Sequence, residues 1–293
     1  MKKMKNLKMN KYINTALNFT GSKYNLLEQI LPEFDYSKEI FADLFCGSLV
    51  VSSNVADKFK NILANDIIKD LVNIHNNIFF NFDDFIKSVK NLSVSKDDKE
   101  GFLNLRESYN KNKSADKLYA LILTSTNNMM RFNNKFQYNQ TFGKRSFNDK
   151  TEEKLNNYKK FIEPYKNKFN FSATHFADIK ITKPCMIYLD PPYGYIMNDD
   201  GSMGNNQISE AGYNAFYKKE DDIILYNYFK TAKKYNNHSV MLSGLLEHND
   251  KKSWVLNKLI NDGYRYKILE KDYNKVSRKN IDKNSKEIII MNY

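Results

Sequence analysis

Asp190-Pro191-Pro192-Tyr193 concentrates more usable chemistry than any other stretch of the chain. It follows the apolar run Met186-Ile187-Tyr188-Leu189, which reads as a short strand. An acid, two prolines and an aromatic at the carboxyl end of a parallel strand occupy the edge where open α/β sheets bind ligands. The prolines fix φ and donate no backbone N–H. The Asp190 carboxylate and the Pro191 carbonyl can then stand as two acceptors facing one way. Such a pair suits a planar amino group with two hydrogens, and Tyr193 offers a flat face on which a base can stack. The same residue types also build plain strand-ending turns, but a given four-letter string should arise by chance in under about 1% of chains this long.

Three further positions carry chemistry. In Asp43-Leu44-Phe45-Cys46-Gly47-Ser48, Gly47 would let a ligand approach the backbone closely. Asp66 lies 19 positions after Gly47, and an acid about 20 residues beyond such a glycine can grip ribose hydroxyls. Phe19-Thr20-Gly21-Ser22-Lys23 precedes the helix-like Tyr24 to Ile30. It can close over a nucleoside with an aromatic and a cation, although alone it is a capped helix start. Asp43 and Asp66 have equally plain readings, as part of a capping turn and as a surface acid.

These residues need elements to hold them. Residues 39–45 and 61–66 read as strands, with a helix from Leu49 to Phe59 between them. Strand, turn, helix, strand is a βαβ unit and implies a parallel sheet. A second unit runs from 186–189 through a helix over Asp221–Lys234 to a strand at 239–242. Two more strands, about 264–273 and 287–293, end the sequence. Residues 80–170, rich in Asn and Lys, interrupt this pattern and read as an insertion.

Composition narrows the partner. The 293 residues include 46 Lys or Arg against 34 Asp or Glu, a net charge of +12. Residues 131–170 hold ten of those cations and four of the acids, half the excess. That balance suits a polyanion and makes nucleic acid the leading partner, beside the plainer reading of a solvated charged face. The 20 Phe and 20 Tyr are enough for a substantial core. No stretch approaches the roughly 18 apolar residues of a membrane span. Polar residues follow the basic Met1–Lys11 where a signal peptide would have an apolar run. Cys46, Cys185 and four scattered histidines show no metal-site spacing. The expectation is a cytoplasmic protein without a metal or a membrane partner.

Taken together, these motifs resemble the DNA adenine-N6 methyltransferases of the Dam-like, D12 class, the alpha group of amino-methyltransferases. The order matches: Phe19–Lys23, Asp43–Gly47, the 80–170 insertion, then Asp190–Tyr193. Thr126-Asn-Asn-Met-Met-Arg131-Phe-Asn133 and Phe136-Gln-Tyr-Asn139-Gln-Thr-Phe142-Gly143-Lys144-Arg145 resemble that family's DNA-contacting stretch. Ala211-Gly-Tyr213-Asn-Ala-Phe216 with Asp221-Asp222 resembles its mobile loop and following helix, and Tyr273–Arg278 with Glu287–Tyr293 its ending. Two positions depart: Leu49 stands where a second glycine usually falls, and Thr141 replaces a proline.

The resemblance implies an α/β fold, a Rossmann-like seven-stranded methyltransferase sheet with an inserted, mainly helical target-recognition domain. Residues 1–79 and 171–293 would form the catalytic domain and 80–170 the DNA-recognition domain. It also implies S-adenosylmethionine as methyl donor and double-stranded DNA as partner. Asp190, Pro191, Pro192 and Tyr193 would be catalytic. Phe19 and Lys23 would meet the donor's methionine end, Asp66 its ribose, and Asp178 and Ile179 its adenine, with Asp43, Phe45, Gly47 and Asp190 completing the site. Asn127, Arg131, Asn133, Lys144 and Arg145 would contact DNA, since Arg and Asn can read guanine and adenine edges and Lys can hold a phosphate. The target adenine must leave the duplex to reach such a pocket. A restriction endonuclease partner and a monomeric or weakly dimeric state fit this picture. The alternatives are a DNA-binding protein that has lost catalysis and an RNA adenine methyltransferase. RNA-adenine and protein-glutamine methyltransferases typically carry Asn before Pro-Pro. A NAD-dependent oxidoreductase would show the full Gly-x-Gly-x-x-Gly pattern, which is absent.

Overall fold

The fold is that of a computed structural model describing residues 11–19, 21–208, 216–270 and 285–293. The strands are β1 (Ile40–Asp43), β2 (Asn61–Asn65), β3 (Phe169–Ser172), β4 (Met186–Leu189), β5 (Tyr195–Met197), β6 (Met203–Gln207), β7 (Ser239–His248), β8 (Lys251–Lys252), β9 (Arg265–Leu269) and β10 (Ser285–Met291). The helices are α1 (Leu27–Ile30), α2 (Val50–Asn54), α3 (Lys69–Phe80), α4 (Phe82–Leu92), α5 (Lys99–Lys111), α6 (Ala115–Thr124), α7 (Asp149–Ile162), α8 (Lys219–Asn236) and α9 (Trp254–Asn261).

Seven strands form one sheet in the order β3-β2-β1-β4-β7-β10-β9, and the two-residue β8 is added to the end of β7. The first five are parallel to one another. Strand β10 runs antiparallel between β7 and β9. Both faces are covered, so the central strands are apolar throughout instead of alternating with polar residues. Alternation appears instead in which layer each side chain joins. Phe41, Tyr188, Met241 and Ile289 pack with Val50, Leu71, Phe85, Leu118 and Leu155. Ala42, Ile187, Leu242 and Ile290 pack with Leu225 and Phe229 of α8 and Leu256 and Leu259 of α9.

The expected strands are present, with shorter bounds at β1 and a longer β7. Three details differ from the sequence reading. Strand β3 went unpredicted, and its first residues, Phe169 and Asn170, lie in the sheet although they were expected in the insertion. The helix expected over 49–59 shrinks to the five residues of α2, because Leu49 adopts the left-handed conformation (φ 66°) and Val55 leaves helical geometry. The insertion is mainly helical, as expected, yet its residues Phe85, Phe102, Leu118 and Tyr158 join the same buried cluster as the sheet.

Candidate active site

The strand order reverses beside β1, between β2 and β4, and the turns leaving these strands meet there. Leaving β1, the chain turns so that Leu44 N–H donates to Tyr188 O and Cys46 N–H to Asn65 O. Gly47 has φ 46°, and a Cβ on it would stand 3.1 Å from the Phe19 ring. The loop is thus pressed against Phe19, and glycine fits both the conformation and the space. Beneath it, the buried His75 of α3 meets Gly47 O through Nε2 at 2.7 Å. Burial lowers its pKa to about 4, so the ring is neutral and donates to the carbonyl.

Asp66 ends β2. Its Oδ2 accepts from Gly47 N–H at 3.1 Å and its Oδ1 from Ile68 N–H at 3.0 Å. The buried Asp43 carboxyl accepts from Ser52 Oγ at 2.6 Å through Oδ2, while Oδ1 meets no hydrogen-bond partner. Burial pushes Asp43 up to about 7 and Asp66 up to about 6.

Lys23 brings the N-terminal motif to the end of β4. Its Nζ lies 2.7 Å from Asp190 Oδ1 and 3.3 Å from Glu287 Oε1 of β10, and it donates to Gly21 O at 3.1 Å. The three side chains are 5%, 19% and 4% exposed. Burial alone would pull Lys23 down, but Asp190 and then Glu287 hold it well above the usual lysine range. Burial pushes Asp190 above the usual carboxylate range despite Lys23. One ammonium therefore serves two carboxylates, Glu287 buried and Asp190 partly so.

The chain beyond Tyr193 is held by α8. Asp222, fully buried, accepts from Tyr195 N–H at 2.7 Å and from Tyr217 Oη at 2.8 Å. Gly194 sits so close to this carboxylate that a Cβ would come within 2.5 Å of it. The neighbouring Asp221 meets His175 Nε2 at 3.0 Å. The N-terminus of α8 thus fixes both the loop after β4 and the segment after β3.

These parts enclose a cavity of about 210 Å³. Phe19, Lys23, Asp43, Phe45, Gly47, Asp66, Asp190, Pro191, Pro192 and Tyr193 all line it, so ten of the residues singled out from sequence come together. Asp178 and Ile179 do not line it, and Asp178 is exposed. The lining from that segment is Thr174, His175 and Phe176. Sequence reading also missed Asn65, Tyr217 and His75, and the roles of Asp222 and Glu287. A signal for the last existed: an acid beside Ile288-Ile289-Ile290 in a buried strand needs a cation.

The five residues expected to contact DNA lie together between α6 and α7, and Met129 of the same segment reaches the cavity. Asn127 is exposed with φ 58°. Arg131 donates to Asn139 through Nε and Nη2, both at 3.0 Å. Asn133 Oδ1 accepts from Lys135 N–H and Gln137 N–H. Lys144 is exposed, and Arg145 donates to Asn128 Oδ1. Thr141, which stands in place of proline, closes the segment by hydrogen-bonding Thr126. Thr20, residues 211–215 of the expected loop and residues 273–278 lie outside the described residues. Among the described residues no group of three His, Cys, Asp or Glu is placed to hold a metal, and no helix is long and apolar enough to cross a membrane.

A parallel sheet whose last strand inserts antiparallel, with a nucleoside-sized cavity at its switch point, is a Rossmann-like methyltransferase fold. Residues 19–274 match the family described as D12 class N6 adenine-specific DNA methyltransferase, and the chain belongs to that family. Among curated relatives, modification methylase StsI of Streptococcus sanguinis is 30% identical over 307 aligned positions, covering 97% of this chain and 43% of the relative. Type II methyltransferase M.FokI of Planomicrobium okeanokoites is 33% identical, covering 64% of this chain and 30% of the relative. A DNA adenine methylase of Serratia marcescens is 29% identical, covering 60% of this chain and 66% of the relative. The chain thus spans less than half the length of the first two.

Proposed function

We propose that this chain transfers a methyl group from S-adenosylmethionine to the exocyclic amine of an adenine flipped out of double-stranded DNA. One observation carries the reading: Lys23 pins Asp190 Oδ1 at 2.7 Å, in a cavity that also holds the Gly47 turn and Asp66. Asp190 and the Pro191 carbonyl would supply the paired acceptors that an amino group needs, both residues lining that cavity.

The donor suits these residues. Asp43 lines the cavity as a buried acid, which favours a ligand carrying positive charge. Asp66, tied to the Gly47 turn, would meet ribose hydroxyls, and His175 and Phe176 would flank the donor's base in place of Asp178 and Ile179. When bound, S-adenosylmethionine supplies a methyl group made electrophilic by its sulfonium.

The chain's own residues then do three things. Asp190 and Pro191 accept both amine hydrogens, which favours a tetrahedral nitrogen and aims its lone pair; such alignment contributes several kcal/mol to catalysis. Tyr193 stacks on the extruded base and offsets part of the few kcal/mol that flipping costs. Asp190, raised by burial, can take the departing amine proton. Residues 80–168 would read the DNA, with Asn127, Arg131, Asn133, Lys144 and Arg145 nearest the target. The relatives' names as modification methylases support a place beside a restriction enzyme. The test is to incubate unmethylated DNA with protein and labelled donor, then map modified adenines by sequencing. Asp190→Ala should abolish transfer; transfer at the parental rate would refute the role given to Asp190. Donor binding by calorimetry separates this reading from a DNA-binding protein without catalysis.

A further inference from the structure

Two grooves adjoin the cavity, and they differ in charge. The first, about 450 Å³, includes Leu17 and Asn18, next in the chain to the cavity residue Phe19, and Asn128, next to the cavity residue Met129. Its cations are Lys96, Lys144, Arg145, Lys150 and Lys154, and no carboxylate lines it. The second, about 960 Å³, shares Ile67, Ile68 and Phe216 with the cavity and carries Asp70, Asp84 and Asp116 against Lys69 and Lys113.

The cations of the first groove lack acidic partners among the described residues. Lys154 Nζ is held by Asn18 Oδ1 at 2.7 Å, and Arg145 by Asn128, both neutral groups. Nearby surface lysines are matched: Lys90 with Glu152, Lys159 with Asp83, Lys166 with Glu163. Burial lowers the Lys154 pKa, so its charge is costly without an anion. Five cations gathered without a carboxylate repel one another unless a polyanion lies along them.

We infer that this groove is a phosphate track, which seats the sugar-phosphate backbone of duplex DNA beside the cavity mouth through Lys96, Lys150 and Lys154 together with Lys144 and Arg145. The second groove, with three acids against two cations, suits that backbone less, so the charge difference favours the first groove as the path of the bound strand. This rests on the DNA reading above and adds a binding direction and three residues to it.

The test measures affinity for a fluorescein-labelled duplex of random sequence as a function of salt. Each phosphate contact contributes about 0.9 to the slope of log K against log salt, so Lys96→Ala/Lys150→Ala/Lys154→Ala should lower the slope by about 2–3. Between about 50 and 200 mM salt the parent should then weaken roughly 40-fold more than the variant. The loss should be equal on methylatable and random duplexes, as expected for backbone contacts. Donor binding by calorimetry reports that the variant is folded; if it is not, Lys96→Ala/Lys150→Ala, both at exposed positions, should still lower the slope by about 1–2. The control Lys159→Ala/Lys160→Ala/Lys166→Ala removes the same charge elsewhere and should leave the slope unchanged. A parental slope in the groove variants, or an equal drop in the control, overturns the track while the proposed activity stands. A parent that neither binds nor methylates DNA overturns both.

Discussion

Replacing Lys23 with methionine tests the buried charge network directly. The substitution keeps much of the stem's volume and removes one ammonium that lies 2.7 Å from Asp190 and 3.3 Å from Glu287. Breaking a buried ion pair by removing one partner typically costs about 3–5 kcal/mol. A second limit comes from protonation. The stranded carboxylates can escape charge by binding a proton, which at pH 7 costs about 4 kcal/mol for a group whose unfolded pKa is near 4. The two magnitudes agree, so Lys23→Met should lose about 3–5 kcal/mol at pH 7. The sign with pH follows. In the variant, a buried carboxyl binds its proton more tightly when folded than when unfolded, so its native state holds more protons and its stability falls as pH rises. The deficit against the parent should therefore shrink by about 1.4 kcal/mol for each pH unit lowered towards 5. Urea denaturation followed by the fluorescence of Trp254, the single tryptophan and a buried one, measures it. A deficit under about 1 kcal/mol at pH 7, or one that does not change with pH, refutes the view that Lys23 neutralises this pair.

Other consequences are as direct. Asp43 sits at about 7, above its unfolded value near 3.9, so its contribution to stability is present at low pH and lost as pH rises from about 4 to 7. A cationic donor beside it favours the charged form, so donor affinity measured by calorimetry should rise with pH through about 7, and Asp43→Asn should flatten that profile; a flat parental profile contradicts this. Gly47→Ala places a methyl 3.1 Å from the Phe19 ring at φ 46°. Left-handed strain of about 1–2 kcal/mol should appear as a lower unfolding free energy, with weaker donor binding. Leu49 is left-handed yet fully buried. Leu49→Gly relieves about 1–2 kcal/mol of strain but forfeits a buried side chain worth about 2–5, so denaturation should show a net loss. Asp222→Ala strands the Tyr195 N–H and the Tyr217 hydroxyl, at about 1–3 kcal/mol each, and should lower kcat for methyl transfer by loosening the loop after Tyr193.

What could be read in advance depended on whether a residue's role is local. Asp190–Tyr193 was legible because proline stiffness and a strand end are sequence-near properties, and Asp66 because its distance from Gly47 is set by one helix and one strand. The parallel sheet followed from short apolar runs separated by helix-length segments. Strand β3 was hidden because Phe169-Asn-Phe-Ser172 is short, half polar and adjoins a basic stretch; only pairing with β2 makes it a strand. Asp178 drew attention as an acid in the right place, yet the chain turns two residues earlier, where Asn65 anchors Thr174 by two backbone hydrogen bonds and presents His175 and Phe176 to the cavity. Leu49 read as a defect in a glycine motif. Its side chain is fully buried in the core while its backbone adopts a glycine-like conformation. Lys23, Asp190 and Glu287 are far apart in sequence, so their shared charge emerges only from the strand order.

That strand order also bears on synthesis. A chain made from its amino end carries Lys23 and Asp190 long before Glu287 is available, and β10 must still slide between β7 and β9 to deliver it. Until then β7 and β9 have no common neighbour, and the cation beside the reactive corner has one counter-charge instead of two. Completion of the Lys23 charge network is therefore coupled to the arrival of β10 between its two neighbours.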